Sequence, residues 1–101
     1  MSNKIQRDDV LAILKRFKEV RGESYSITRI GVFGSFARGE PKPDSDIDIV
    51  YETDMPNLFR ASHMRQELEE LMGRHVDVIR LRPHMNPRLK ARIQREARYV
   101  S

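Results

Sequence analysis

Apolar residues change their spacing along the chain, and each change marks an element. From Asp8 to Arg21 they fall at Val10, Leu11, Ile13, Leu14, Phe17 and Val20 between charged positions. That spacing predicts an amphipathic helix with a broad apolar stripe. Asp8 or Asp9 is expected to cap its start and Gly22 to end it. In SITRIGVFG, Ile27, Ile30 and Val32 predict a strand running into Gly34. Pro41 and Pro43 keep the polar segment GEPKPDS extended and out of a helix. From Asp46 to Tyr51 polar and apolar residues alternate, the period of a strand covered on one face. Thr53 to Asn57 interrupts the pattern, and Leu58–Met72 returns to helical spacing. Its expected inward stripe is Leu58, Phe59, Ala61, Met64, Leu68, Leu71 and Met72, closed by Gly73. His75–Leu81 predicts a third strand. Asn86 and Pro87, a cap followed by a first-turn proline, open a last helix through Leu89, Ile93 and Ala97.

The order α-β-β-α-β-α predicts an α/β (α+β) fold: a small mixed β-sheet with helices packed on one face. The second and third strands are joined through a helix, so they should run parallel as neighbours with a right-handed crossover. A length of 101 residues implies one domain, 1–101. So small a chain must build its core from ordinary apolar packing, because it has no cysteine. The lack of cysteine also excludes a disulfide framework and a thiolate metal site. No apolar run approaches the roughly 20 residues that cross a bilayer. The N-terminal MSNKIQRDDV lacks the apolar stretch of a secretory signal. No membrane association is expected, and the expected location is cytoplasmic.

Charge adds one asymmetry. The net charge is +4. Between Arg80 and Ser101, the cations Arg80, Arg82, Arg88, Lys90, Arg92, Arg95 and Arg98 are opposed only by Glu96. Two accounts fit: the solvated face of a terminal helix, or attraction for a nucleotide, an RNA or an acidic protein. Aromatic residues are sparse there, so direct nucleic-acid binding by base stacking is not expected.

The candidate chemistry is acidic. Asp46 and Asp48 lie two apart on a strand, so both side chains point the same way with Cα atoms roughly 6.5 Å apart. Ile47, Ile49 and Tyr51 then face the core. In His75-Val-Asp-Val-Ile, Val76 and Val78 face that core too, which puts Asp77 beside Asp46 and Asp48. Three clustered carboxylates repel one another and need cations. Oxygen-only ligands of this kind suit magnesium or manganese, and two-metal sites hold their ions about 3.5–4 Å apart. Gly34 and Ser35 follow directly on a strand. Gly34 permits a sharp turn and close approach of a phosphate, while Ser35 offers a hydroxyl and an N–H. Each feature alone also fits an exposed strand face or an ordinary strand-to-helix turn. Their spacing is more specific: ten residues separate Ser35 from Asp46, giving Gly-Ser-x10-Asp-x-Asp.

That motif, with Asp77 downstream on its own strand, resembles the polymerase-β-type nucleotidyltransferase superfamily. GVFGSFARGEPKPDSDIDIVYE, supported by RHVDVIRL, is most similar to the minimal nucleotidyltransferases, specifically the MntA-like antitoxins of HEPT/MNT toxin–antitoxin modules. The resemblance implies a polymerase-β-like core in which Asp46 and Asp48 hold two Mg2+ ions, with Mn2+ as the alternative. Asp77 would bind the ion that activates the acceptor hydroxyl, or act as its base. Gly34 and Ser35 would cradle the triphosphate of ATP. Arg38, in the family's Gly-Ser-x-Ala-Arg-Gly form, is either a phosphate contact or a structural ion pair; Lys42 is expected to be an exposed loop lysine. Larger members append an acceptor-binding domain, so here a protein partner would present the hydroxyl: a tyrosine of a cognate HEPT toxin, in a hetero-oligomer, modified with AMP. Two alternatives stay open, a small-molecule acceptor and a non-catalytic antitoxin that works by occlusion. His63, His75 and His84 share no metal-binding spacing and are expected to be ordinary surface or partly buried residues. Tyr25 and Tyr99 are the only candidates for self-modification, since Tyr51 faces the core.

Overall fold

A computed structural model describes residues 5–101 of the chain; residues 1–4, which the expected 1–101 domain includes, lie outside the described residues. The elements are α1 (Arg7–Arg21), β1 (Ile27–Phe33), α2 (Gly34–Ala37), β2 (Ile47–Thr53), α3 (Leu58–Met72), β3 (Val76–Arg80), α4 (Pro87–Glu96) and β4 (Arg98–Tyr99). The strands form one sheet in the order β3-β2-β1-β4. β2 and β3 run parallel, and β1 is antiparallel to both β2 and β4. The mixed sheet and the parallel pair are as expected.

The helix ends follow from local chemistry. α1 is capped by Gln6 rather than by Asp8 or Asp9; Asp9 instead accepts a hydrogen bond from the Gln6 backbone N–H at 2.8 Å. The two aspartates therefore serve the first turn from within, where a negative charge faces the exposed N–H groups. Asn57 caps α3 and Asn86 caps α4, each accepting from two backbone N–H groups. Gly73 closes α3 in the left-handed conformation, φ 64°.

One face of the sheet, with Ile30, Val32, Ile47, Ile49, Tyr51 and Val76, packs against Val10, Leu14 and Phe17 of α1 and Met64, Leu68 and Met72 of α3. α4 departs from the expectation of helices on one face: it lies on the other, where Phe33, Val50 and Ile93 are buried together and flanked by Ile79, Leu89 and Tyr99. The stripe expected for α3 was too wide. Leu58 is 87% exposed, Phe59 82% and Leu71 55%. At about 100° per residue, Phe59 falls on the side of the helix away from Met64 and Leu68, and Leu58 and Leu71 fall at the margins of the buried stripe. β4 was not expected; two residues are too short to show an alternating pattern. Among the described residues no helix is long and apolar enough to cross a membrane.

Candidate active site

Strand register builds the site. Phe33 pairs with Asp48, and Asp48 pairs with Asp77. The end of β1, the start of β2 and the start of β3 therefore meet, with Gly34 turning directly beyond Phe33. Asp48 and Asp77 share the face opposite Ile47, Ile49, Val76 and Val78, as strand alternation requires. Gly34 has φ +76°, and a Cβ there would collide with the Asp48 carboxylate. The glycine is thus required both by its backbone conformation and by the carboxylate packed over it.

Asp46, in the loop just before β2, and Asp77 each bring a carboxylate oxygen, and His75 a ring nitrogen, to within 4.8 Å of one another. Asp48 lies deeper, half-buried. Its carboxyl is pushed above the ordinary range, first by burial and then by the charges of Asp77 and Asp46, against the pull of Arg92 and Arg38. The three expected aspartates are therefore electrostatic neighbours, two reaching solvent and one half-buried beneath. Such a set of hard oxygen donors fits a divalent cation.

The glycine–serine turn carries a feature no sequence pattern signalled. The Gly34 backbone N–H donates to Glu96 Oε1 at 3.2 Å. Arg38 Nη1 donates to the same oxygen at 3.1 Å and Arg92 Nε at 3.3 Å. Of the two roles open to Arg38, this structure contains the ion pair. Ser35 is half-buried, and its carbonyl accepts from Glu40 N–H at 2.9 Å, closing the turn. Lys42 is exposed, as expected.

Two further side chains order this end of the sheet. Arg74, from the α3–β3 turn, donates to the carbonyls of Ser45 at 2.7 Å, Lys42 at 3.0 Å and Pro43, fixing the loop that delivers Asp46. His75 places Nδ1 2.9 Å from Glu69 Oε2 and Nε2 3.9 Å from Asp77 Oδ1. His75 is exposed as expected, but it is not an isolated surface residue: it stands two positions before Asp77, on the same strand face. That i, i+2 relation was legible in the sequence. His63 and His84 are exposed and lie outside the group. Tyr25 donates to Glu67, and its hydroxyl is pushed up to about 12, by burial first and then by that carboxylate. Tyr99 is half-buried beneath the Arg29 guanidinium, 3.8 Å from the ring centre, and Tyr51 is buried.

Residues 14–100, a span that includes the Gly34 turn and all three aspartates, match the nucleotidyltransferase domain family. Protein adenylyltransferase MntA of Thermococcus cleftensis is 33% identical over 94 residues, covering 92% of this chain and 94% of that protein. A solved structure described as a minimal nucleotidyltransferase superposes with TM-score 0.77 at 28% identity, over 96% of this chain and 98% of its own. The same fold recurs, at 17% identity and TM-score 0.63, in a complex described as the tri-AMPylated Shewanella oneidensis HEPN toxin with its MNT antitoxin; 88% of this chain matches 70% of that one. With one motif-bearing span matched by the family and nearly the whole chain matched by an MntA protein, the chain belongs to the nucleotidyltransferase-domain family, among the minimal enzymes of the MntA type.

Proposed function

We propose that the chain, acting as one catalytic domain, transfers AMP from ATP to a tyrosine hydroxyl of a cognate HEPT-type toxin and so silences it. The observation that carries this reading is the register Phe33–Asp48–Asp77, which gathers Asp46, Asp48 and Asp77 beside the Gly34 turn. Asp46, Asp48 and Asp77 would hold two divalent cations, Mg2+ first and Mn2+ as the alternative. Bound there, such ions neutralise the triphosphate and lower the pKa of an attacking hydroxyl. Gly34 and Ser35 would hold the triphosphate tail through a backbone N–H and a hydroxyl. The acceptor oxygen forms a bond to the α-phosphorus as the bond from that phosphorus to the pyrophosphate oxygen breaks. The hydroxyl proton passes to the Asp77 carboxylate or to solvent, and pyrophosphate leaves. Catalysis is then positioning plus charge neutralisation, as in other phosphoryl-type transfers.

The proposal of a toxin as acceptor draws on the MntA name of a relative and on the AMPylated toxin in the fold-related complex. Co-expression with the candidate partner, followed by intact mass measurement, tests it. The partner should gain AMP-sized increments that require ATP, Mg2+ and Asp46. No gain with any nucleoside triphosphate would defeat the transferase reading. Silencing that survives Asp46→Asn with Asp48→Asn would point to occlusion instead.

A further inference from the structure

The reaction above uses three aspartates, Gly34 and Ser35, and it leaves Arg92 and Glu96 without a part. Glu96 is the last residue of α4, and its side chain is only 14% exposed. One of its oxygens accepts from Gly34 N–H, Arg38 and Arg92 at 3.1–3.3 Å, and Arg95 Nη2 stands 4.0 Å from the other. Arg92 occupies the space between the two halves of the site. Its Nη2 would lie 3.3 Å from a Cβ at Gly34, and its guanidinium is 5.7 Å above the Phe33 ring. It is also the strongest favourable charge acting on Asp48. Its backbone is held by Ile93, which is fully buried against Phe33 and Val50. A carboxylate gathered by an N–H and two guanidinium groups is the chemistry of an anion seat, and this seat adjoins the turn expected to receive the triphosphate.

The geometry points to Arg92 as a ligand of the nucleotide's triphosphate tail, with the Glu96 carboxylate as an internal stand-in that occupies the seat until nucleotide arrives. This inference rests on the transferase reading. Without an anion, the three donors would be left partly desolvated and unpaired, which is costly; Glu96 satisfies them. A triphosphate brings several negative charges, so it cannot share the seat with a carboxylate. Glu96 ends its helix and can turn its side chain outward while Ile93 keeps α4 in place.

Calorimetric titration of the full chain with Mg2+ and a non-hydrolysable ATP analogue, and separately with AMP, tests this on the wild type, Glu96→Gln, Arg92→Met and Arg92→Lys, with a thermal melt of each as the check on folding. Glu96→Gln should bind the triphosphate about tenfold more tightly, because a neutral amide competes less well for charged donors. Arg92→Met should bind it about tenfold more weakly or worse, with AMP affinity nearly unchanged. Arg92→Lys should fall between, keeping the charge without the fork. Weaker or unchanged triphosphate binding in Glu96→Gln overturns the inference, as does an equal effect of Arg92→Met on AMP and triphosphate. If the wild type binds no nucleoside triphosphate in Mg2+, the transferase reading fails and takes this with it; if the wild type binds and the variants match it, this inference alone fails.

Discussion

Gly34 and Gly73 offer a matched pair of substitutions that separates backbone strain from damage to the site. Both have positive φ, +76° and +64°, and an alanine in the left-handed region costs roughly 1–2 kcal/mol. At Gly73 a new Cβ meets nothing within 4 Å, so Gly73→Ala should lose only that amount. For a domain of this size each kcal/mol lowers Tm by about 4–8 °C. At Gly34 the same strain is joined by collision with the Asp48 carboxylate. Either Asp48 swings away from Asp77 or the turn lifts away from β2, and in both cases the acids and the phosphate seat part company. A misplacement of about 1 Å can cost on the order of a hundredfold in rate, so Gly34→Ala should lose at least about that much AMP transfer while melting only slightly below Gly73→Ala. Thermal melts by circular dichroism and AMP transfer by intact mass, run on both variants, check this. Wild-type transfer by Gly34→Ala, or equal loss of transfer in the two variants, would refute the account of the turn.

Asp48→Asn removes a half-buried charge repelled by Asp46 and Asp77. It should raise the Tm of the metal-free chain at pH 7 and abolish the further rise that Mg2+ gives the wild type through binding linkage. The sign follows from the raised carboxyl: below the ordinary value of 3.8 both states are protonated and Asp48 has no effect, whereas its destabilisation grows as pH rises through the folded value. The metal-free melting difference between wild type and Asp48→Asn should therefore vanish in acid. Ile93→Ala deletes the one fully buried side chain of α4 and should lower stability by roughly 2–4 kcal/mol in denaturant melts. Tyr25→Phe should be less stable than the wild type by a constant margin below pH 10. That margin should disappear toward pH 12, since the Tyr25 hydroxyl titrates at about 12 in the fold and at its ordinary value of 10.0 in the unfolded chain. Denaturant midpoints across that range measure it.

What the sequence showed well was whatever depends on neighbours along the chain. The strand period put Asp48 on the face opposite Ile47 and Ile49, although Asp46, expected on the same strand, lies in the loop before it, and the helical crossover made β2 and β3 a parallel pair. Together these predicted Asp77 on the same sheet face as Asp48, and the structure pairs the two across neighbouring strands. The Asn57 and Asn86 caps were readable for the same reason, since each cap bonds within three residues. Local reasoning failed where tertiary position decides. Leu58, Phe59 and Leu71 looked like core because they are apolar and helical, but only the facing α1 and the sheet define which side of α3 is inward. The spacing among His63, His75 and His84 carries no metal signal; the signal for His75 is Asp77, two positions on.

Arg92 and Glu96 were hidden by a distance of 62 residues between Gly34 and Glu96, and the element that closes that distance is the shortest strand in the fold. β4 pairs Arg98 with Val32 and Tyr99 with Gly31, antiparallel. Two residues before Arg98 the chain is already helical, and Glu96 closes α4. The pairing anchors the chain just after α4 beside β1, and the Glu96 carboxylate meets the Gly34 N–H from the end of that helix. The basic C-terminal segment is divided by its secondary structure: Arg92 and Arg95 of α4 stand beside Glu96, whereas Arg98 is exposed on the edge strand. A charge run that looked uniform along the sequence is thus split by the change from helix to strand into a part beside the Glu96 carboxylate and a part on the sheet edge.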